Sequence, residues 1–129
     1  MAEHVQQITE THDISVSDHS RGGRAWRRES RVAFRPVKSV RTYAVAMHEL
    51  GHILGSRQGG RRLEAEAGAW RWAVNNRLKL SPAQAEGWDD IMSGHLQSYV
   101  RWARNKQERR VVNAPLLPDE GDDLWILIG

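Results

Sequence analysis

The chain has 129 residues, enough for one domain with a substantial core, and no run approaches the eighteen or so apolar residues a membrane-spanning helix needs. It contains no cysteine, which excludes disulfides and thiolate metal ligands, so any metal must be held by His, Glu or Asp. The formal charge of +3 is unevenly spread: positions 21–62 carry eleven Arg or Lys against two acids, Glu29 and Glu49, whereas four acids fall within positions 119–123.

The fold class expected is α+β, in a single domain spanning 1–129. Residues 1–38 lack helical periodicity and read as two or three short strands, drawn from 5–8, 14–16 and 31–37, with 25–28 and 31–35 pairing around Glu29-Ser30. Residues 39–110 read as three helices. The first begins at the N-cap Ser39, carries Val40, Tyr43, Ala44, Met47, Leu50 and Leu54 at three- and four-residue steps, and exits at Gly55. The second runs from about Arg62 to Arg77 with Leu63, Ala67 and Trp70 on one stripe. Trp72 sits about 200° of helical rotation from Trp70, so one of the two should be buried and the other partly exposed. The third starts at Ser81-Pro82, an N-cap followed by a proline suited to the first helical position, and carries Trp88, Met92, His95, Leu96 and Tyr99. A tail, 111–129, ends in Leu124-Trp125-Ile126-Leu127-Ile128, which reads as a strand or docking segment.

The first helix holds His48-Glu49-Leu50-Gly51-His52, an HExxH motif. Residues four apart lie one above the other on a helix, so both imidazoles can face one Zn²⁺, and Glu49 beside them could take a proton from a water the metal activates. Gly51 would allow a neighbouring element to approach closely. The alternative is a pair of ordinary core or solvated histidines, which the spacing, the intervening glutamate and the helical context disfavour.

Zinc in hydrolases usually has three protein ligands and an open position. The elongated motif HExxHxxGxxH matches through Gly55 but places Gln58 where its third histidine belongs, and a neutral amide is a poor zinc ligand. A carboxylate on the second helix is the better source. Glu64 and Glu66 stand two residues apart there and point in different directions, so only one can face the metal. Glu64, twelve residues after His52, leaves room for a helix end, a glycine turn and one new turn. His95 ranks below both.

The segment from His48 to Leu54, with Glu64-Ala65-Glu66-Ala67-Gly68-Ala69-Trp70 after it, resembles the ImmA/IrrE family of gluzincin-like metallopeptidases, often encoded by prophages and mobile elements. The resemblance covers about residues 12–78. It implies a zincin-like three-helix bundle behind a small sheet and a zinc ion held by His48, His52 and Glu64, with Glu49 as the catalytic base. The substrate it implies is a protein, possible candidates being DNA-binding repressors, cut in the cytoplasm of a bacterial host. His95 or Tyr99 could stabilise the oxyanion, and residues 31–37 could pair with an extended substrate. Gly68 departs from the family pattern, which has Asn or Asp there to orient a metal-binding histidine. Two rivals remain: a non-catalytic interaction module on the same scaffold, and a DNA-associated protease of the SprT type, which would need a further histidine soon after His52. The basic stretch allows direct nucleic-acid binding, although a soluble arginine-rich face explains it as well.

Overall fold

A computed structural model describes residues 1–109, with side chains described through position 104; the tail expected at 111–129 lies outside the described residues. The fold is α+β. Four helices, α1 (Ala2–Thr11), α2 (Val40–Leu54), α3 (Arg62–Asn76) and α4 (Pro82–Arg109), accompany three strands, β1 (Ser15–Asp18), β2 (Gly23–Trp26) and β3 (Arg31–Phe34). Among the described residues no helix is long and apolar enough to cross a membrane.

The N-terminal segment corrects the sequence reading. Residues 5–8, expected as a strand, belong to α1. Its buried positions are Val5 and Thr9, one turn apart, with Ile8 beside them, so the apolar stripe is too sparse to register as a helical period. Thr9 hides its hydroxyl by donating to the Gln6 carbonyl (2.9 Å), and Gln6 and Glu10 bond across one turn on the exposed side (3.0 Å). The helix is pinned to α2 by His4 Nδ1, 2.8 Å from the Tyr43 hydroxyl, which also accepts the Leu78 N–H (2.9 Å).

The expected strand pair is present. β2 runs antiparallel to β3 with Trp26 opposite Arg31, joined through a single 3-10 turn (Arg27–Glu29) and Ser30 in the left-handed region. β1 pairs with β3 in parallel, so the strand order is β1-β3-β2. β3 is therefore central and cannot extend the sheet with a substrate strand, as residues 31–37 were expected to do. The edge beside α2 belongs to β2.

Local signals set the helix starts. Ser39 and Thr42 form a reciprocal cap at α2: the Ser39 hydroxyl accepts the Thr42 N–H (3.2 Å) and the Thr42 hydroxyl accepts the Ser39 N–H (2.9 Å). Ser81 and Gln84 do the same ahead of Pro82 at α4 (3.2 and 2.9 Å). The core joins Val32 and Phe34 of β3 to Tyr43, Met47 and Leu50 of α2, Trp70 of α3 and Trp88 and Met92 of α4. Trp70 is fully buried and Trp72 only partly, the division that their spacing requires.

Two glycines let α2 and α3 approach unusually closely. A Cβ on Gly51 would stand 2.2 Å from the Ala69 carbonyl oxygen, and one on Gly68 would stand 2.1 Å from the Ser56 carbonyl oxygen. Neither site accepts a side chain without moving backbone. This seam brings a short carboxylate on α3 within reach of imidazoles on α2.

Candidate metal centre

His48 and His52 sit one turn apart on α2, edge to face with ring centroids 4.6 Å apart, and the carboxylate that meets them is Glu66. Glu66 Oε2 lies 2.8 Å from His48 Nε2 and 3.1 Å from His52 Nε2. His48, His52 and Glu66 offer three donor atoms within 4.8 Å of one another and could hold a metal ion. Glu64, the expected third ligand, is not in this group: its Oε2 lies over the Gly60 turn, where a Cβ on Gly60 would be 3.2 Å away. The reason is rotational. At about 100° per residue, Glu66 projects about 40° from Trp70, whereas Glu64 projects about 120° from it. Trp70 is the residue stacked on His48, with centroids 4.4 Å apart and planes 13° from parallel.

Gln58 fixes the orientation of His52. Its amide nitrogen donates to the carbonyls of Ala65 (2.7 Å) and Ser56 (3.0 Å), so its oxygen faces His52 Nδ1 at 2.9 Å. That acceptor requires the N–H on Nδ1 and leaves the Nε2 lone pair for the cluster. A Cβ at Gly68 would stand 3.2 Å from the Gln58 amide nitrogen. The residue set aside as a ligand thus occupies the space beside position 68 and orients one of the two candidate ligand histidines. Arg57, with φ at 61°, turns the loop that delivers it. The sequence carried no local signal for this role.

His48 Nδ1 is buried without a hydrogen bond, its nearest partner being Glu49 Oε1 at 3.5 Å. Burial would lower the proton affinity of His48, but the Glu66 hydrogen bond and the negative charges of Glu49 and Glu66 prevail and push its pKa up to about 9. Burial works in the opposite direction on Glu66, where the bonds and charges of His48 and His52 hold the carboxyl well below its usual range. Tyr99 stays protonated because it is buried and lies near the negative charge of Glu66. His95 Nδ1 stands 3.3 Å from the Tyr99 hydroxyl, and burial followed by the charge of His48 lowers the His95 pKa. Both residues reach the site.

The donor set fits a divalent cation. With Nδ1–H donated to Gln58, His52 Nε2 meets Glu66 Oε2 as lone pair against lone pair unless a proton or a metal ion lies between them. Tetrahedral donors about 2.0–2.1 Å from zinc stand about 3.3–3.4 Å apart, so the observed 2.8 and 3.1 Å need open only by a few tenths of an ångström. Two carboxylates, Glu49 (8% exposed) and the partly buried Glu66, share a poorly solvated floor that a dication would neutralise.

The floor opens into a cleft of about 800 Å³. β2 forms one wall, and Gly23 makes room there for Glu49, whose Cγ would be 2.7 Å from a Cβ at position 23. No protein-family model, curated protein or solved structure matches this chain.

Two measurements follow from this geometry. Because His48 carries a proton up to about pH 9, metal entry must displace it, and apparent zinc affinity should rise about tenfold per pH unit until pH approaches that value. Titration against a chelator of known pH dependence from pH 6 to 9 checks this; a plateau from pH 7 upward contradicts it. In the metal-free chain the raised pKa of His48 contributes stability that is complete below 6.5 and lost as pH rises through about 9. The lowered pKa of Glu66 contributes stability present above 4.5 and lost as pH falls. Separately, Gln58→Ala should weaken zinc binding about 10- to 100-fold, because it frees the His52 tautomer and ring. An unchanged affinity would remove Gln58 from the site.

Proposed function

We propose that the protein is a zinc-dependent endopeptidase with a zincin-like helical core. The observation that carries the reading is the convergence of both HExxH histidines and Glu66 on one point, with Glu49 beside them at the floor of an open cleft. When bound by His48, His52 and Glu66, zinc supplies Lewis-acid polarisation of a water and of the scissile carbonyl. Glu49 takes the proton of the attacking water and returns it to the departing amine, a role suited to a carboxylate that is buried yet faces the cleft. Gln58 holds the ring of His52 in place. The edge of β2 offers backbone groups to an extended substrate strand, which would position the peptide bond over Glu49.

The ImmA/IrrE resemblance supports the same chemistry, and Gln58 supplies the histidine orientation that Gly68 cannot. A repressor-like regulatory protein in a bacterial or phage setting is the substrate this resemblance favours. The chain loaded with one zinc should cut an unfolded polypeptide or a candidate repressor, lose that activity on chelation and regain it with added zinc. A chain that holds stoichiometric zinc and cuts neither is an interaction module instead.

A further inference from the structure

Five arginines line the cleft above the metal-binding group: Arg21, Arg24, Arg27, Arg28 and Arg62. They come from the loop before β2, from β2, from the 3-10 turn and from the start of α3, so separate elements aim the same charge into one space. Among the described residues the only acids in the lining are Glu49 and Glu66 on the floor. Among the described residues none of the five forms an ion pair with a carboxylate. Three are braced by other contacts. Arg24 lies over the Trp26 ring (5.0 Å), Arg62 lies over Trp102 (4.6 Å), and Arg27 donates to the Gln58 carbonyl (3.1 Å). Concentrating unpaired like charge on a concave wall costs self-repulsion, which a complementary ligand relieves.

We infer that the cleft selects an acidic peptide segment, with Asp or Glu side chains flanking the bond presented to Glu49. The inference rests on the peptidase reading and names its substrate class. The groups that recognise the substrate are forked guanidiniums, which donate to carboxylates in bidentate fashion. A duplex nucleic acid would meet the same charges. It would not place a peptide bond on the floor beside Glu49.

The test measures binding on the full-length, zinc-loaded chain carrying Glu49→Gln, so that nothing is cut. Fluorescence anisotropy compares a labelled acidic peptide with its Asn/Gln counterpart of equal length, and with a labelled DNA duplex. One engaged charge pair in water is worth about fivefold, so the acidic peptide should bind at least about tenfold tighter than its amide counterpart. The preference should shrink as salt rises from about 50 to about 500 mM, as the screening length contracts. Adding Arg21→Glu and Arg28→Glu, both exposed and neither among the three residues of the metal group, should abolish the preference while zinc content and the circular dichroism spectrum hold. Equal affinity for the two peptides overturns the inference, as does duplex binding that is tighter than acidic-peptide binding and depends on the same arginines. A wild-type chain that prefers the acidic peptide but never cuts it counts against the peptidase reading alone.

Discussion

Glu66→Ala should weaken zinc binding by roughly 10²–10³-fold, whereas Glu64→Ala should change it less than about threefold. The first substitution removes the donor that stands 2.8 and 3.1 Å from the two imidazoles. The second removes a carboxylate that faces the Gly60 turn. Glu66→Gln tests the same point with less disturbance, since the amide keeps the shape and loses the charge. Loss of the carboxylate also strips His48 of one of the two anions that raise its pKa, so the metal-free variant should hold the His48 proton less tightly. Competition with a chromophoric chelator gives the affinities. Equal losses for the two alanine variants would mean that neither glutamate is a ligand.

Glu49→Gln should lower kcat by roughly 10²–10⁴-fold while leaving one zinc per chain. Glu49 is buried against Gly23 and beside His48 Nδ1, and an isosteric amide preserves that packing. An amide has no basic oxygen for the water proton. Glu49 is also one of the groups that push the His48 pKa up. The pH dependence of zinc affinity should therefore flatten at a lower pH in the variant, a change visible without any substrate. Undiminished cleavage by this variant would remove Glu49 from the chemistry.

The sequence made α2, its cap and its motif legible, because HExxH, Ser39 and the three- and four-residue apolar steps fall on one element. It made α3 legible as a helix but did not decide which of its two acids faces inward. Rotation about a helix axis depends on what the helix packs against, and the seam with α2 is a tertiary fact. One signal for Glu66 was present: it precedes Trp70 by four residues and so shares the face of the largest buried side chain on that helix. Gln58 was weighed only as a ligand, and its orienting role emerges from a loop conformation that short-range spacing does not encode. α1 escaped notice because two buried side chains anchor it. His95 and Tyr99 were legible as alternative groups for the oxyanion, but their mutual contact of 3.3 Å beside the cleft floor is a product of packing.

The close seam at Gly51 and Gly68 has an evolutionary corollary. Rod spacing and ligand reach act here as a single variable: Glu66 spans the gap because hydrogens stand where methyl groups would press α3 away from α2 at Gly51 and from the loop after α2 at Gly68. A descendant that gained alanine at Gly51 would need a longer donor than Glu66 to restore chelation. Changes at these two positions should therefore co-vary along lineages that keep the ion, and drift independently in those that have shed it.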